Sequence, residues 1–246
     1  MSDVLYTMGN TAKLYCLNWL STQLAQNSEQ KTILDLGCGT GQNFVQLLRD
    51  YPHVQYVGIE PSAAACAEAR KQLAGTKATI IQDYAYHAVH SKLPQPTFDF
   101  IVSFSVFEHV YRRQHYLEFI RTCLKPDGYV LINYDAGHFQ SHDLKERLKN
   151  VIGPVLARLG NEAYYQSFVR EADFRRWAGE AQLEIIEAKS FNTALKGVYK
   201  QIPDSARSEY MQRWLEMETW LNNLSIPYDD RKATVWYTRN FILRAR

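Results

Sequence analysis

Residues Lys31 to Phe44, K-T-I-L-D-L-G-C-G-T-G-Q-N-F, run a short apolar stretch straight into a glycine-rich turn that opens a helix. Ile33, Leu34 and Leu36 spell a strand buried on both faces, as strands of parallel sheets are. Phe44, Val45, Leu47 and Leu48 then continue at helical spacing. Gly37, Gly39 and Gly41 allow a sharp turn and let backbone approach a ligand where a Cβ would collide. Strand, glycine turn and helix together mark a nucleotide site.

The dinucleotide fingerprint G-x-G-x-x-G fails here, because its third glycine would fall on Gln42 or Phe44. Asp35 argues the same way: a carboxylate there repels a pyrophosphate but suits a ligand carrying an ammonium and a sulfonium. S-adenosylmethionine is such a ligand. D-L-G-C-G-T-G resembles motif I of the class I S-adenosylmethionine-dependent methyltransferases, and the resemblance implies that Asp35, Gly37, Cys38, Gly39 and Gly41 belong to the donor site.

Downstream the pattern stays in register. Val54 to Ile59 reads as a second strand ending in Glu60, about 20 residues past the glycine turn, where a carboxylate can accept from both vicinal ribose hydroxyls. Pro61 and Ser62 start an alanine-rich helix, Ala63 to Ala74, that Gly75 ends. A third strand, Ala78 to Gln82, stops at Asp83-Tyr84; the resemblance implies that Asp83 accepts from the adenine amine, with Tyr84 beside the ring. The fourth strand, Phe98 to Phe104, lies in F-D-F-I-V-S-F-S-V-F-E-H-V, which resembles motif IV and implies that Ser103 and Phe104 line the methionine end. The neighbouring Glu108-His109 pair has the makings of a general base. Apolar Val106, Phe107 and Val110 favour a structural role for it instead.

Tyr116 to Leu124 is expected as a helix, Lys125 to Gly128 as a turn and Tyr129 to Tyr134 as the fifth strand. Alternating strands and helices imply a parallel, doubly wound α/β sheet with right-handed crossovers. Beyond it the motifs thin out. Residues 137–166 read as helical insertion, 167–182 as a helix, Leu183 to Phe191 as a sixth strand and 192–232 as a second insertion, the two insertions being expected on the substrate side, where they would recognise the acceptor. Within the second insertion Tyr210, Trp214, Met217, Trp220, Leu221 and Leu224 mark one helix face. Val235 to Leu243 fits the antiparallel seventh strand of the resembled Rossmann-like fold. Residues 1–30 read as a helical cap, with Tyr6, Lys13 and Tyr15 as candidate lid residues.

A chain of 246 residues accommodates a single α/β domain. A formal charge of +2 gives no polyanion footprint, so no nucleic-acid partner is expected. Cys16, Cys38, Cys66 and Cys123 show neither zinc spacing nor a disulfide framework, so no metal and a cytoplasmic home are expected. No apolar run is long enough for a membrane span. The activity implied is methyl transfer from S-adenosylmethionine to an oxygen, nitrogen or carbon nucleophile of a small molecule, by a monomer or homodimer, leaving S-adenosylhomocysteine. The rival readings are a methyltransferase of RNA or protein and a binding protein that keeps the fold without catalysis. His138, just past the fifth strand behind Gly137, is a candidate acceptor-side base, and His109 competes with it.

Overall fold

The computed structural model describes residues 9–26, 29–85, 87–135, 152–158, 162, 165–193, 195–224 and 236–246. Seven strands form one sheet in the order β3-β2-β1-β4-β5-β7-β6. They are β1 (Thr32–Leu36), β2 (Gln55–Glu60), β3 (Ala78–Gln82), β4 (Phe98–Phe104), β5 (Leu124–Asp135), β6 (Leu183–Phe191) and β7 (Thr238–Ala245). The pairs among β1 to β5 are parallel, while β7 runs antiparallel to both of its neighbours. All five residues of β1 are buried, because helices cover both of its faces.

The alternation of side chains along β1 assigns those layers. Ile33 faces the cluster built with α1 (Thr11–Ala25), α2 (Val45–Asp50) and α3 (Ala63–Gln72), which contribute Leu17, Leu47 and Ala69. Leu34 and Leu36 point the other way, toward α4 (Arg113–Cys123) and α6 (Glu171–Glu180), represented by Leu117, Ile120 and Phe174. Residues 152–158 form a short helix, α5. Two more helices, α7 (Lys196–Tyr199) and α8 (Arg207–Asn223), follow β6. Strand order reverses between β2-β1 and β4, and in open α/β sheets a ligand crevice forms at the carboxyl ends of strands at such a point.

Several element limits differ from the sequence-based expectation, each for a tertiary reason. The helix expected from Ser167 begins only at Glu171. Ser167 N–H donates to the Glu108 carbonyl at 3.0 Å, and the Arg113 guanidinium takes the Ser167 and Phe168 carbonyls, so these backbone groups are committed elsewhere. Helix α4 starts three residues earlier than Tyr116, and the turn expected at Lys125 to Gly128 is absorbed into β5 at a bulge against Phe98 and Phe100. The apolar stripe expected on α8 packs only at its start, where Trp214 is buried with Tyr210 against it, while Met217, Trp220 and Leu224 are exposed. Met211, Trp214, Leu215 and Glu218 are buried, whereas Trp220 is 59% exposed.

Glu218 explains that difference. Fully buried, it accepts from the Thr11 hydroxyl, from the backbone N–H groups of Asn192 (3.2 Å) and Thr193 (2.7 Å), and from Trp214 Nε1 (2.8 Å). Asn192 Oδ1 in turn receives Thr11 N–H at 2.8 Å. A carboxylate saturated in this way takes the inward position that binary patterning assigns to a hydrocarbon. It joins the first turn of α1, the end of β6 and α8 into one unit.

Helix α1 is therefore a layer of the core, with Cys16, Leu17, Leu20 and Leu24 packed among Phe100 and Leu131. Tyr15 turns to β6, donating to Glu187 at 2.7 Å and lying against Phe191, away from the sheet's central crevice. Tyr6 and Val235 lie outside the described residues. Among the described residues no helix is long and apolar enough to cross a membrane.

Candidate active site

A cleft of about 480 Å³ opens at the carboxyl ends of the strands, a volume within the range of small-ligand sites. Its floor is the turn after β1. Gly37 and Cys38 both donate N–H to the Ile59 carbonyl, at 2.8 and 3.1 Å, which locks the turn onto β2. Gly37 has φ +76 and sits under Val106; a Cβ there would come within 2.4 Å of Val106 Cγ2. Gly39 differs. Its φ is +55, but no protein atom lies within 4 Å of where its Cβ would be. The position is open, so its glycine answers the left-handed backbone and not a packed neighbour.

Glu60, at the end of β2, is oriented before any ligand arrives. One carboxylate oxygen accepts from Gly39 N–H at 3.1 Å and the other from Ser62 N–H at 2.9 Å. Each carboxylate oxygen has a second acceptor site, so the group can still receive two hydroxyls. Ser62 itself caps α3 through Ala65 N–H. Asp83, after β3, is gripped by Lys92 and by Tyr84 N–H at 2.7 Å, and the Lys92 bond holds its carboxyl below the usual carboxylate range. Glu60, Pro61, Asp83 and Tyr84 all line the cleft.

Other expected residues lie behind it. Asp35 is 3% exposed, accepts from Tyr56 Oη at 2.7 Å, and is pushed up to about 7 by burial. The Lys13 charge acts against that burial on both Asp35 and Glu108. The Cys38 side chain is buried against Gly58, and burial raises its thiol. Gly41 is packed under Leu73. Ser103 is fully buried, its hydroxyl bonded to Tyr116 Oη at 2.8 Å, whereas Phe104 lines the cleft and stacks on Phe44.

The opposite end of the cleft is built by the turn after β4. Ser105, at φ +58, gives its N–H to the Asn133 backbone and side-chain oxygens, both at 3.0 Å. The next residues form a single 3-10 turn, Phe107–His109. Here the Glu108-His109 pair splits. Glu108 is 2% exposed, accepts from Asp135 N–H at 3.2 Å, and burial pushes it up to about 7. His109 is exposed and lines the cleft. Its Nδ1 lies 3.2 Å from the Tyr165 carbonyl; since a carbonyl only accepts, Nδ1 carries the hydrogen and Nε2 of the neutral ring carries the lone pair. His138 lies outside the described residues.

Residues that sequence reasoning passed over complete the wall: Ser105, Val106, Val110, Tyr116 and Glu162. Ser105 carries the sign of a strained turn only in its positive φ, which no sequence shows. Glu162 lies in the 137–166 insertion expected on the substrate side, is not singled out there because no motif marks it, and has its carboxylate held at the cleft by Tyr111 N–H at 3.3 Å. Tyr111 and Tyr165 meet edge to face beside it, with ring centroids 5.1 Å apart.

Comparison with known proteins gives three kinds of match. A family model described as a methyltransferase domain matches residues 9–188. Norajmaline N-methyltransferase of Rauvolfia serpentina is 26% identical over 164 residues, covering 65% of this chain and 55% of that protein. Trans-aconitate 2-methyltransferase of Acidovorax sp. (strain JS42) is 26% identical over 203 residues, covering 75% of this chain and 76% of that protein. With 55%, 44% and 38% of three of these relatives covered, the chain spans about half the length of the curated relatives it matches. Among solved structures, the cyclopropane synthase MmaA2 from Mycobacterium tuberculosis superposes with a TM-score of 0.59 at 18% identity, over 95% of this chain and 84% of that one, and shares the fold.

Proposed function

The chain belongs to the methyltransferase domain family whose model it matches, and from that premise we propose that it transfers a methyl group from S-adenosylmethionine to a nucleophile of a small molecule. The observation that carries the donor reading is the pinned Glu60 carboxylate beside Gly39. The acceptor is oriented for two vicinal hydroxyls, and the neighbouring glycine leaves a cradle that a Cβ would fill. Asp83 and Tyr84 take the adenine end, Phe104 a wall, and the buried Asp35 answers the donor's positive charge. Gly37, Gly39 and Gly41 shape the turn, and Cys38 and Ser103 support it from behind.

Bound there, the donor supplies an electrophilic methyl that needs no further activation. The protein's work is alignment, exclusion of water and, for a protonated acceptor, removal of one proton. His109, with its lone pair on Nε2, is the described residue suited to that last task; His138 stays a second candidate. The names of the relatives, a norajmaline N-methyltransferase and a trans-aconitate 2-methyltransferase, support a small acceptor. All four cysteines are free and buried, which fits a reducing cytoplasm.

Calorimetric titration with S-adenosylhomocysteine tests the donor assignment. Binding with a strong preference over NAD is the expected result; none at millimolar ligand rejects it. Release of labelled methyl into a small-molecule pool of a cell extract, rather than into macromolecule, separates this reading from an RNA or protein substrate. Any turnover dismisses a non-catalytic role.

A further inference from the structure

The turn after β4 and the segment before α6 are joined by a run of contacts. Ser167 N–H donates to the Glu108 carbonyl at 3.0 Å, His109 Nδ1 to the Tyr165 carbonyl at 3.2 Å, and Tyr111 N–H to the Glu162 carboxylate at 3.3 Å. Arg113 closes the run. Its buried guanidinium donates to the Ser167 carbonyl and hydroxyl, both at 2.8 Å, and to the Phe168 carbonyl at 3.3 Å. The Ser167 hydroxyl is also bonded to Tyr165 Oη at 2.8 Å, so Arg113 and Tyr165 meet on one oxygen. The same guanidinium lies 5.6 Å from the centre of the Phe107 ring and 5.6 Å from that of Trp177. Phe107 opens the 3-10 turn that carries His109.

A buried cation is destabilising unless its donors are satisfied, and this one directs them to the backbone of a neighbouring segment, where its rigid fork takes two successive carbonyls. Arg113 thereby holds Phe107 on one side and Ser167 on the other, and so sets how His109 meets Tyr165. The consequence is chemical. A histidine ring free in water carries its hydrogen mainly on Nε2, which would leave no lone pair on the nitrogen that is not bound to Tyr165. The Tyr165 carbonyl reverses that preference by accepting from Nδ1. We propose that Arg113 is a positioning residue for methyl transfer: through Ser167 and Tyr165 it keeps the hydrogen of His109 on Nδ1 and the lone pair on Nε2. This rests on the reading of His109 as the base. The acceptor's proton passes to Nε2, and the electron pair it leaves behind bonds to the methyl carbon as the carbon–sulfur bond breaks, with that bond's electrons staying on sulfur. The imidazolium, its Nδ1–H already on the Tyr165 carbonyl, then returns the proton to solvent.

The test reads the ring itself. The full chain carrying isotopically labelled histidine is examined by long-range proton–nitrogen NMR at about pH 8.5, well above the ordinary histidine value of about 6.5, and His109→Gln identifies the signal among the seven histidines. The parent should show His109 with its hydrogen on Nδ1. In Arg113→Lys, which keeps the charge and loses the fork, the ratio of Nδ1–H to Nε2–H ring should fall about fivefold, the scale of one hydrogen bond, and Ser167→Ala should move it the same way. The remaining histidine signals and the affinity for S-adenosylhomocysteine should stay parental. An Nε2–H ring in the parent, or a parental ratio in either variant, overturns the proposal, and so do changes spread over the other histidines, which would mean a general loosening. Should one variant not fold, the other decides. Transfer of labelled methyl into the extract's small-molecule pool at the parental rate by His109→Ala would instead reject His109 as the base, whatever its tautomer, so the two failures are distinct.

Discussion

Glu60 bears the largest residue-scale consequence, because its orientation is built into the fold by Gly39 and Ser62. Glu60→Ala removes charge-assisted bonds and should weaken S-adenosylhomocysteine binding about tenfold to a hundredfold by calorimetry. Unchanged affinity would reject the ribose assignment. Gly39→Val separates backbone from ligand: no protein atom opposes the new Cβ, so the fold should lose only the roughly 1–2 kcal/mol of a left-handed non-glycine residue. Ligand affinity should fall further than that, and a variant that keeps parental affinity would show that no ligand approaches this turn. Asp83 is more entangled than its place in the chain suggests, being shared with Lys92. Asp83→Ala should shrink the preference for the adenosine over the inosine form of the ligand; an unaltered ratio would dismiss the adenine contact.

At the scale of elements, α8 is held by a polar keystone and not by its most apolar side. Glu218→Ala strands the buried N–H groups of Asn192, Thr193 and Trp214, and urea denaturation should show a loss of at least about 1–3 kcal/mol, the cost of one buried donor left unpaired. Trp214→Ala opens a cavity in the same interface and should cost a similar amount. Trp220→Ser, three-fifths exposed, should stay within about 0.5 kcal/mol of the parent. The reverse ranking would mean that α8 packs through its other face. The turn after β4 acts on elements in a comparable way. Glu108 receives Asp135 N–H through its side chain and Ser167 N–H through its carbonyl, so one residue fastens both ends of the segment between β5 and α6.

For the molecule as a whole, two buried carboxyls set how stability depends on pH. Burial pushes Asp35 and Glu108 up to about 7 from ordinary values of 3.8 and 4.5. Between those limits the folded chain holds more protons than the unfolded one, so their stabilising contribution is complete below about pH 4 and is lost as pH rises through about 7. Asp35→Asn and Glu108→Gln should each flatten the fall in stability between pH 5 and pH 8, by an amount on the order of a few kcal/mol, measured by urea titration. Donor binding should run the other way. A cationic ligand favours the ionised Asp35, so affinity should increase from pH 6 to pH 8 in the parent and become flat in Asp35→Asn.

What the sequence by itself determined is what short segments encode. The strand before the glycine turn, the acid at the end of β2 and the alternation of strand and helix are patterns within a few to 20 residues, because backbone sterics and side-chain periodicity act locally, while the antiparallel direction of the last strand came only with the family resemblance. The tertiary structure alone decided how distant groups satisfy one another. Thr11 and Glu218 are 207 positions apart, and nothing near either announces their bond or the inward turn of a glutamate on α8. The splitting of Glu108 from His109, the capture of residues 167–170 in extended form and the arrival of Glu162 at the cleft have the same origin. A buried polar group must find a partner wherever the fold brings one, and that partner is chosen by the packing of the whole chain rather than by its neighbours in sequence.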